Sequence, residues 1–262
     1  MYFNNIHIKF YVLIAIIGFV VGKFVAWCNL RFPEDKKIFS KEFFKENKAG
    51  NIKGSYIMMI ITACFYIAIL YKFGIKTEFI KNLDLIKFLI LTPMLISSFF
   101  IDLKHRILPN RLNMTMLEIG ILLVFIYGLN NLNIAKDMVL GLITGGGIFL
   151  AITLLGGMVA GKEAMGLGDV KFMGALGLYF GFSTIAEISL LAFFLATIIS
   201  IIVLFIRIVI LKSDDEYIPF GPFLVLSAFC MMFIPDGTVF MTFIGLCKWI
   251  SDKLVLIGHG EI

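Results

Sequence analysis

The chain reads as all-α, a polytopic integral membrane protein with about eight transmembrane helices, on three observations: its composition, its long apolar runs, and the placement of its basic residues. Of its 262 residues 60% are apolar or aromatic and only 16% charged, against about 25% charged in soluble proteins. That balance excludes an ordinary water-soluble globule. Apolar stretches of 17 residues or more recur without an amphipathic period, so the bilayer is the expected solvent. A net charge of +5 invites a nucleic-acid reading, but the basic residues are scattered at the ends of apolar runs and form no stripe with interleaved aromatics. No nucleic-acid partner is expected, and membrane lipid is.

The runs fall at 10–30, 55–71, 85–101, 112–129, 138–160, 170–186, 188–211 and 218–234. A hydrocarbon core of about 30 Å needs about 20 helical residues, so the shortest runs suffice with small extensions. The first lacks a basic leading region and an A-x-A cleavage site, and is expected to be a retained helix. Residues 237–258, apolar but carrying Lys248 and Lys253, lie along the interface or extend the last span. With the N-terminus outside, the inner segments 31–54, 102–111, 161–171 and 207–218 hold 14 Lys and Arg against six in the outer ones. By the positive-inside rule those four segments are cytoplasmic. The loop at 31–54 also carries Glu34, Asp35, Glu42 and Glu46, so it is a mixed-charge segment and not a polybasic lipid-binding patch.

The chemistry is concentrated at Asp102 and Asp169. Two crossings lie between them, so both return to one membrane face. Asp102 ends the third run, in Phe99-Phe100-Ile101-Asp102-Leu103-Lys104-His105-Arg106-Ile107-Leu108-Pro109-Asn110. Asp169 opens the sixth, in Glu163-Ala164-Met165-Gly166-Leu167-Gly168-Asp169-Val170-Lys171. Charged groups at membrane depth are costly and mark functional sites, each with a partner to be named. Each aspartate is the other's natural partner. Two carboxylates a few Å apart share a proton; the ionised one draws a proton from water while the protonated one donates to a peptide carbonyl. Gly166 and Gly168 let a peptide backbone approach Asp169 closely. Singly, Asp102 reads as a juxtamembrane charge and Asp169 as a helix N-cap. As an N-cap Asp169 is the member held ionised by the helix end, which leaves Asp102 to carry the proton.

Phe100-Ile101-Asp102-Leu103 with Ile107-Leu108-Pro109-Asn110, the Gly166-Leu167-Gly168-Asp169-Val170-Lys171 block, and Ile218-Pro219-Phe220-Gly221-Pro222-Phe223-Leu224 together resemble the prepilin peptidases, the type IV leader peptidase family of GxGD-type intramembrane aspartic proteases. The resemblance covers roughly 85–235, and more loosely 14–33, where Gly18, Gly22, Phe24, Arg31 and Pro33 fall in place. It implies an endopeptidase that removes a short basic leader from prepilin-like precursors (pilins, pseudopilins or competence proteins) at the cytoplasmic face of the cell membrane, cutting after a glycine and before a residue that is usually phenylalanine. Asp102 and Asp169 match the family's two catalytic aspartates. Gly166, Gly168, Lys171, Pro109, Pro219, Gly221 and Pro222 are the expected substrate-binding or site-shaping residues. Many members also methylate the new amino terminus with S-adenosylmethionine, and the larger ones bind zinc through four cysteines in the first cytoplasmic loop. Here that loop has no cysteine, so zinc is not expected. Lys23 and Ala26 stand where the family tends to have serine and asparagine, so S-adenosylmethionine enters only if methylation is retained. The implied organisation is an N-terminal helical pair over 1–84, a peptidase membrane domain over 85–235 and a tail over 236–262.

Pro219-Phe220-Gly221-Pro222 removes two backbone donors where a span begins. It is either a plain helix start, which favours proline in the first turn, or a bared backbone that holds substrate. Lys23 and Glu118 lie inside spans at equal depth, about 10–12 Å from the cytoplasmic boundary at 1.5 Å per residue, and either pair or snorkel separately. Glycines at 141, 145, 146, 147, 156, 157 and 161 include the pairs Gly141 with Gly145 and Gly157 with Gly161, a spacing that lets helices pack closely in lipid. Lys104 and His105 read as headgroup anchors, and His7 and His259 are isolated. Cys28, Cys64, Cys230 and Cys247 show no C-x-x-C spacing and read as small buried apolar residues. No metal site is expected. Signal-peptide-peptidase and presenilin relatives are disfavoured, since neither a Y-D context nor a P-A-L block occurs. The alternative from another class is a transporter or channel that moves protons or cations through buried carboxylates; its acids should stand near the bilayer midplane.

Overall fold

The computed structural model describes residues 2–3, 6–33, 55–76, 80–161, 165–206 and 219–258. Among these, apart from an antiparallel pair of two-residue strands, β1 (Tyr2–Phe3) and β2 (Ile6–His7), and a 3-10 turn at Ile80–Asn82, the structure is helical. The helices are α1 (Ile8–Arg31), α2 (Ser55–Phe73), α3 (Leu83–His105), α4 (Asn110–Gly128), α5 (Leu132–Ala160), α6 (Leu167–Ile206), α7 (Gly221–Phe233) and α8 (Thr238–Gly258). Six are long and apolar enough to cross a membrane, or seven if the bent pair α7 and α8 is one span. The chain is therefore an all-α polytopic membrane protein. Lys36, Lys37, Lys41, Lys45, Lys48, Lys53, Lys162, Arg207 and Lys212 carry most of the expected inner charge and lie outside the described residues.

The sixth and seventh apolar runs form one 40-residue helical element broken at Gly181, where φ is 78° and ψ −179°. The break is a reversal. On α5, Gly141 lies against both Gly177 and Gly181, Gly145 against both Met173 and Ile185, and the Phe149 ring stacks on Phe193 at 5.5 Å. Thus α6 runs antiparallel to α5 before Gly181 and parallel to it afterwards. A positive φ favours glycine, and a side chain at 181 would strike the Asp137 carboxylate, whose Oδ1 accepts the Phe182 N–H at 3.3 Å. The sequence places this break near Glu187, because a charge interrupts the apolar run there. Instead Glu187 is fully buried and accepts the N–H groups of Gly237 (2.6 Å) and Val239 (3.1 Å). It caps the start of α8 from inside the bundle, satisfying donors a helix cannot satisfy for itself.

Glycine sets the closest helix contacts. A Cβ at Gly177 would strike the Gly141 carbonyl, and Gly18 and Gly22 pack α1 onto the α2 backbone at Ala63 and Met59. Of the two expected pairs, Gly141 with Gly145 is used in this way. Among the described residues nothing lies against Gly161, which ends α5 in a left-handed conformation, φ 67°. Helix α8 leaves α7 at 106°, so it does not extend that span.

Polar groups sort to opposite ends of α3. Asp84 accepts from Tyr127 at 2.7 Å and pairs with Lys87 at 3.0 Å. Asp102 is 18 residues further on, ~27 Å along a helix. Two expectations are corrected. Lys23 and Glu118 are both exposed and form no ion pair among the described residues; α1 meets α4 at Leu112, which packs with Trp27 and Cys28, while both charged side chains lie on exposed faces of their helices. Only Cys28 is buried; Cys64, Cys230 and Cys247 are exposed and free, because an apolar thiol in lipid has no need of a protein core.

Gly177→Val should destabilise the protein by about 1–3 kcal/mol or more through overpacking, read as a fall in melting temperature in detergent; an unchanged melting curve would contradict the α5–α6 contact.

Candidate active site

Asp102 occupies the last turn of α3. The helix ends there because Arg106 turns left-handed, φ 57°, with its N–H on the Asp102 carbonyl at 2.8 Å. The Asp102 side chain is 5% exposed and faces the first residue of α7. A Cβ built on Gly221 would lie 2.5 Å from Asp102 Oδ2, so glycine is the residue that fits beside this carboxylate. Oδ2 is buried and makes no hydrogen bond among the described residues. A buried acceptor without a partner is costly, and such an atom at a functional site is poised for a water or a substrate group.

Asp169 lies in the first turn of α6, half-buried. It does not cap that helix: its N–H is donated to the Gly166 carbonyl at 3.0 Å, so the capping position is Gly166, three residues earlier, and Asp169 remains within the positive end of the helix. Gly166 stands beside the Asp169 carboxylate, where a Cβ would lie 3.7 Å from Oδ2. The two aspartates are near enough for the Asp102 charge to act on Asp169. The two aspartates thus lie at one end of the bundle, with Gly221 beside one carboxylate and Gly166 beside the other.

The two loops that carry the aspartates are fastened to each other. Gly168 packs against Leu108, where a Cβ would lie 3.4 Å from its carbonyl oxygen and from its Cβ. Asn113 Nδ2 donates to the Gly168 carbonyl at 3.0 Å, and Lys171 Nζ to Asn110 Oδ1 at 2.9 Å. Lys171 is itself exposed. Pro109 is buried and precedes α4, with its carbonyl accepting from Leu112 (3.1 Å) and Asn113 (3.2 Å). On the α7 side the entrance is a regular helix start: Pro222 lies in the first turn and Phe223 N–H reaches the Phe220 carbonyl at 3.0 Å. Pro219 precedes it. The Phe220 ring packs against Phe149 (6.2 Å) and Phe193 (5.3 Å), which pins Gly221 in place. Among the described residues no group of three or more His, Cys, Asp and Glu gathers; the loop at 34–54 lies outside them.

Asn113 and the Phe149-Phe193-Phe220 cluster escape sequence reasoning. Asn113 had a signal, a polar side chain inside the apolar run at 112–129. The phenylalanines had none, being three among 28.

Residues 89–204 match the type IV leader peptidase family. Among curated proteins, a prepilin leader peptidase/N-methyltransferase of Legionella pneumophila is 34% identical over 149 residues, 56% of this chain and 49% of that protein. One of Xanthomonas campestris pv. campestris is 27% identical over 195 residues, 72% and 63%. A type 4 prepilin-like proteins leader peptide-processing enzyme of Escherichia coli O78:H11 is 29% identical over 146 residues, 56% and 51%. The chain spans about half to two thirds of the length of these relatives. No solved structure matches it.

Gly221→Ala should lower the cleavage rate at least about tenfold by displacing the Asp102 carboxylate, with the melting temperature little changed; full activity in a peptide-cleavage assay would show that the carboxylate tolerates a methyl group there.

Proposed function

We propose that this chain, whose residues 89–204 carry the type IV leader peptidase match, is an intramembrane aspartic endopeptidase that removes the leader from prepilin-like precursors at the cytoplasmic membrane face. The observation that carries the reading is the convergence of Asp102, buried against Gly221, with Asp169, beside Gly166, at one end of the bundle. Membrane lipid surrounds the enzyme and the precursor is its protein partner. The family match and the relatives' names support that substrate class.

In this mechanism the two carboxylates share one proton. The ionised member takes a proton from a water held between them as the water oxygen attacks the scissile carbonyl carbon. The protonated member donates to the carbonyl oxygen, giving a tetrahedral diol. The newly protonated member then gives its proton to the leaving nitrogen while the other takes one from a diol hydroxyl; the C–N bond breaks, a carboxylic acid and an amine leave, and the dyad again holds one proton. The site needs an extended backbone, not a helix, at the scissile bond, and the glycines on both sides leave room for one. Both acids lie near one end of α3 and not at its middle, which favours hydrolysis over the transport of ions across the full membrane thickness.

The relatives' names also carry N-methyl transfer, whose methyl donor would be S-adenosylmethionine. A cavity of about 260 Å3 between α1, α2 and the end of α3 has Asn29, Ser55, Lys104 and His105 as its polar lining. It offers no carboxylate for ribose hydroxyls or for the sulfonium charge. Among the described residues that set does not fit the cofactor, and no step is routed through it.

Incubation in membranes with a prepilin-like precursor bearing a glycine-phenylalanine junction should give the shortened product. Asp102→Asn and Asp169→Asn should each slow cleavage by about 10²–10⁴-fold or more, the span general acid–base groups supply. Cleavage that survives either change would remove the dyad from the mechanism.

A further inference from the structure

Two glycines give the turn that delivers Asp169 its close approach to substrate, and they also give it freedom. Glycine loses more conformational entropy on ordering than any other residue, and neither Gly166 nor Gly168 has a side chain with which to anchor itself. Something outside the turn must fix it. Lys171 with Asn110 is an exposed contact, and exposed polar contacts of long side chains hold geometry weakly. Asn113 is different. It is 1% exposed, it rises from the rigid first turns of α4, and its Nδ2 holds the Gly168 carbonyl at 3.0 Å.

That carbonyl belongs to the peptide joining Gly168 to Asp169. The nitrogen of the same peptide is held by the Gly166 carbonyl at 3.0 Å. With both ends of a planar unit fixed, the rotation that swings the Asp169 side chain towards or away from Asp102 is restrained. The other half of the Asn113 amide strengthens the point. Its Oδ1 is buried and makes no hydrogen bond among the described residues, a costly state that an apolar side chain of the same size would avoid. The asparagine is therefore explained by its donor, which faces the turn, and not by its contribution to packing.

From this geometry we infer that Asn113 is a positioning residue for Asp169, setting through Gly168 the distance and angle at which the second carboxylate meets the first. The inference rests on the dyad reading above. The test compares the wild type with Asn113→Leu and Asn113→Asp, which keep the size and remove the donor, and with Asn113→Gln, which keeps the amide on a longer stem. Cleavage of the precursor in membranes gives kcat and KM, and melting in detergent reports the fold. Loss of the donor should lower kcat about tenfold to a hundredfold while KM stays within about twofold, as expected for a misplaced catalytic group. Asn113→Gln should recover part of the rate, and the melting temperature of Asn113→Leu should hold or rise.

A kcat near that of the wild type in Asn113→Leu and Asn113→Asp would overturn the assignment. So would equal losses in all three variants, or a loss that follows a fall in melting temperature, since either makes Asn113 a residue of the fold alone. If both donor-free variants fail to fold, the same conclusion holds. A wild-type protein that leaves the precursor uncut overturns the proposed function itself, and Asp169→Asn, run alongside, separates that failure from one confined to Asn113.

Discussion

A carboxylate buried in a membrane bundle must be given a neighbour that neither collides with it nor neutralises it, and at Asp102 that neighbour is Gly221, where any Cβ would stand 2.5 Å from Oδ2. The remaining architecture serves to keep this contact. Helix α7 has to present its first residue to the last turn of α3, which it does because Phe220 is held between Phe149 and Phe193. Its other end is held as firmly: the Met232 carbonyl accepts from Lys72 at 2.6 Å, Asp236 accepts from Thr184 at 2.9 Å, and the Glu187 carboxylate caps the corner that follows. The second half of α6 thus clamps α7 at one end through the Phe193 ring and at the other through the Thr184 hydroxyl and the Glu187 carboxylate.

The first half of α6 brings the other carboxylate. Its position follows from glycine packing against α5, which lets the backbones approach at Gly141 and Gly177, and from the Tyr179 hydroxyl, which reaches the Met116 carbonyl of α4 at 2.9 Å. In lipid, apolar contact between helices gains nothing over contact with acyl chains, so close backbone packing and polar bridges have to supply the specificity. The placement of Asp169 is an outcome of that packing. One element, turned back at Gly181, therefore carries an aspartate at the start of one limb and the anchor of α7 on the other.

Much of this was legible from the sequence because the bilayer fixes helix length. The bounds of the apolar runs at 10–30, 55–71, 85–101 and 112–129 fall within four residues of those of the first four helices. The turn between the sixth and seventh runs was misplaced for a physical reason. Glu187 looks like an interruption when read along the chain, yet a buried carboxylate is stable wherever it finds two N–H donors, and those belong to residues 50 and 52 positions later. Lys23 and Glu118 show the converse, since equal depth does not bring two side chains together when each lies on an exposed face of its helix. The aspartates were legible because acidic residues at membrane depth are rare. Their neighbours were less so: the resemblance offered Gly221 without its contact to Asp102, and Asn113, though polar inside an apolar run, acquires its meaning from the Gly168 carbonyl that the fold places opposite it.

Meeting of the two acids at one end of the bundle is the claim that everything else presupposes, and it can be tested without substrate. With the four native cysteines replaced, Asp102→Cys and Asp169→Cys combined in one chain should be joined by a short bifunctional maleimide in native membranes, giving a faster-migrating species that neither single variant forms. Failure to join, with each cysteine reacting readily when present alone, would place the two positions apart and contradict the account.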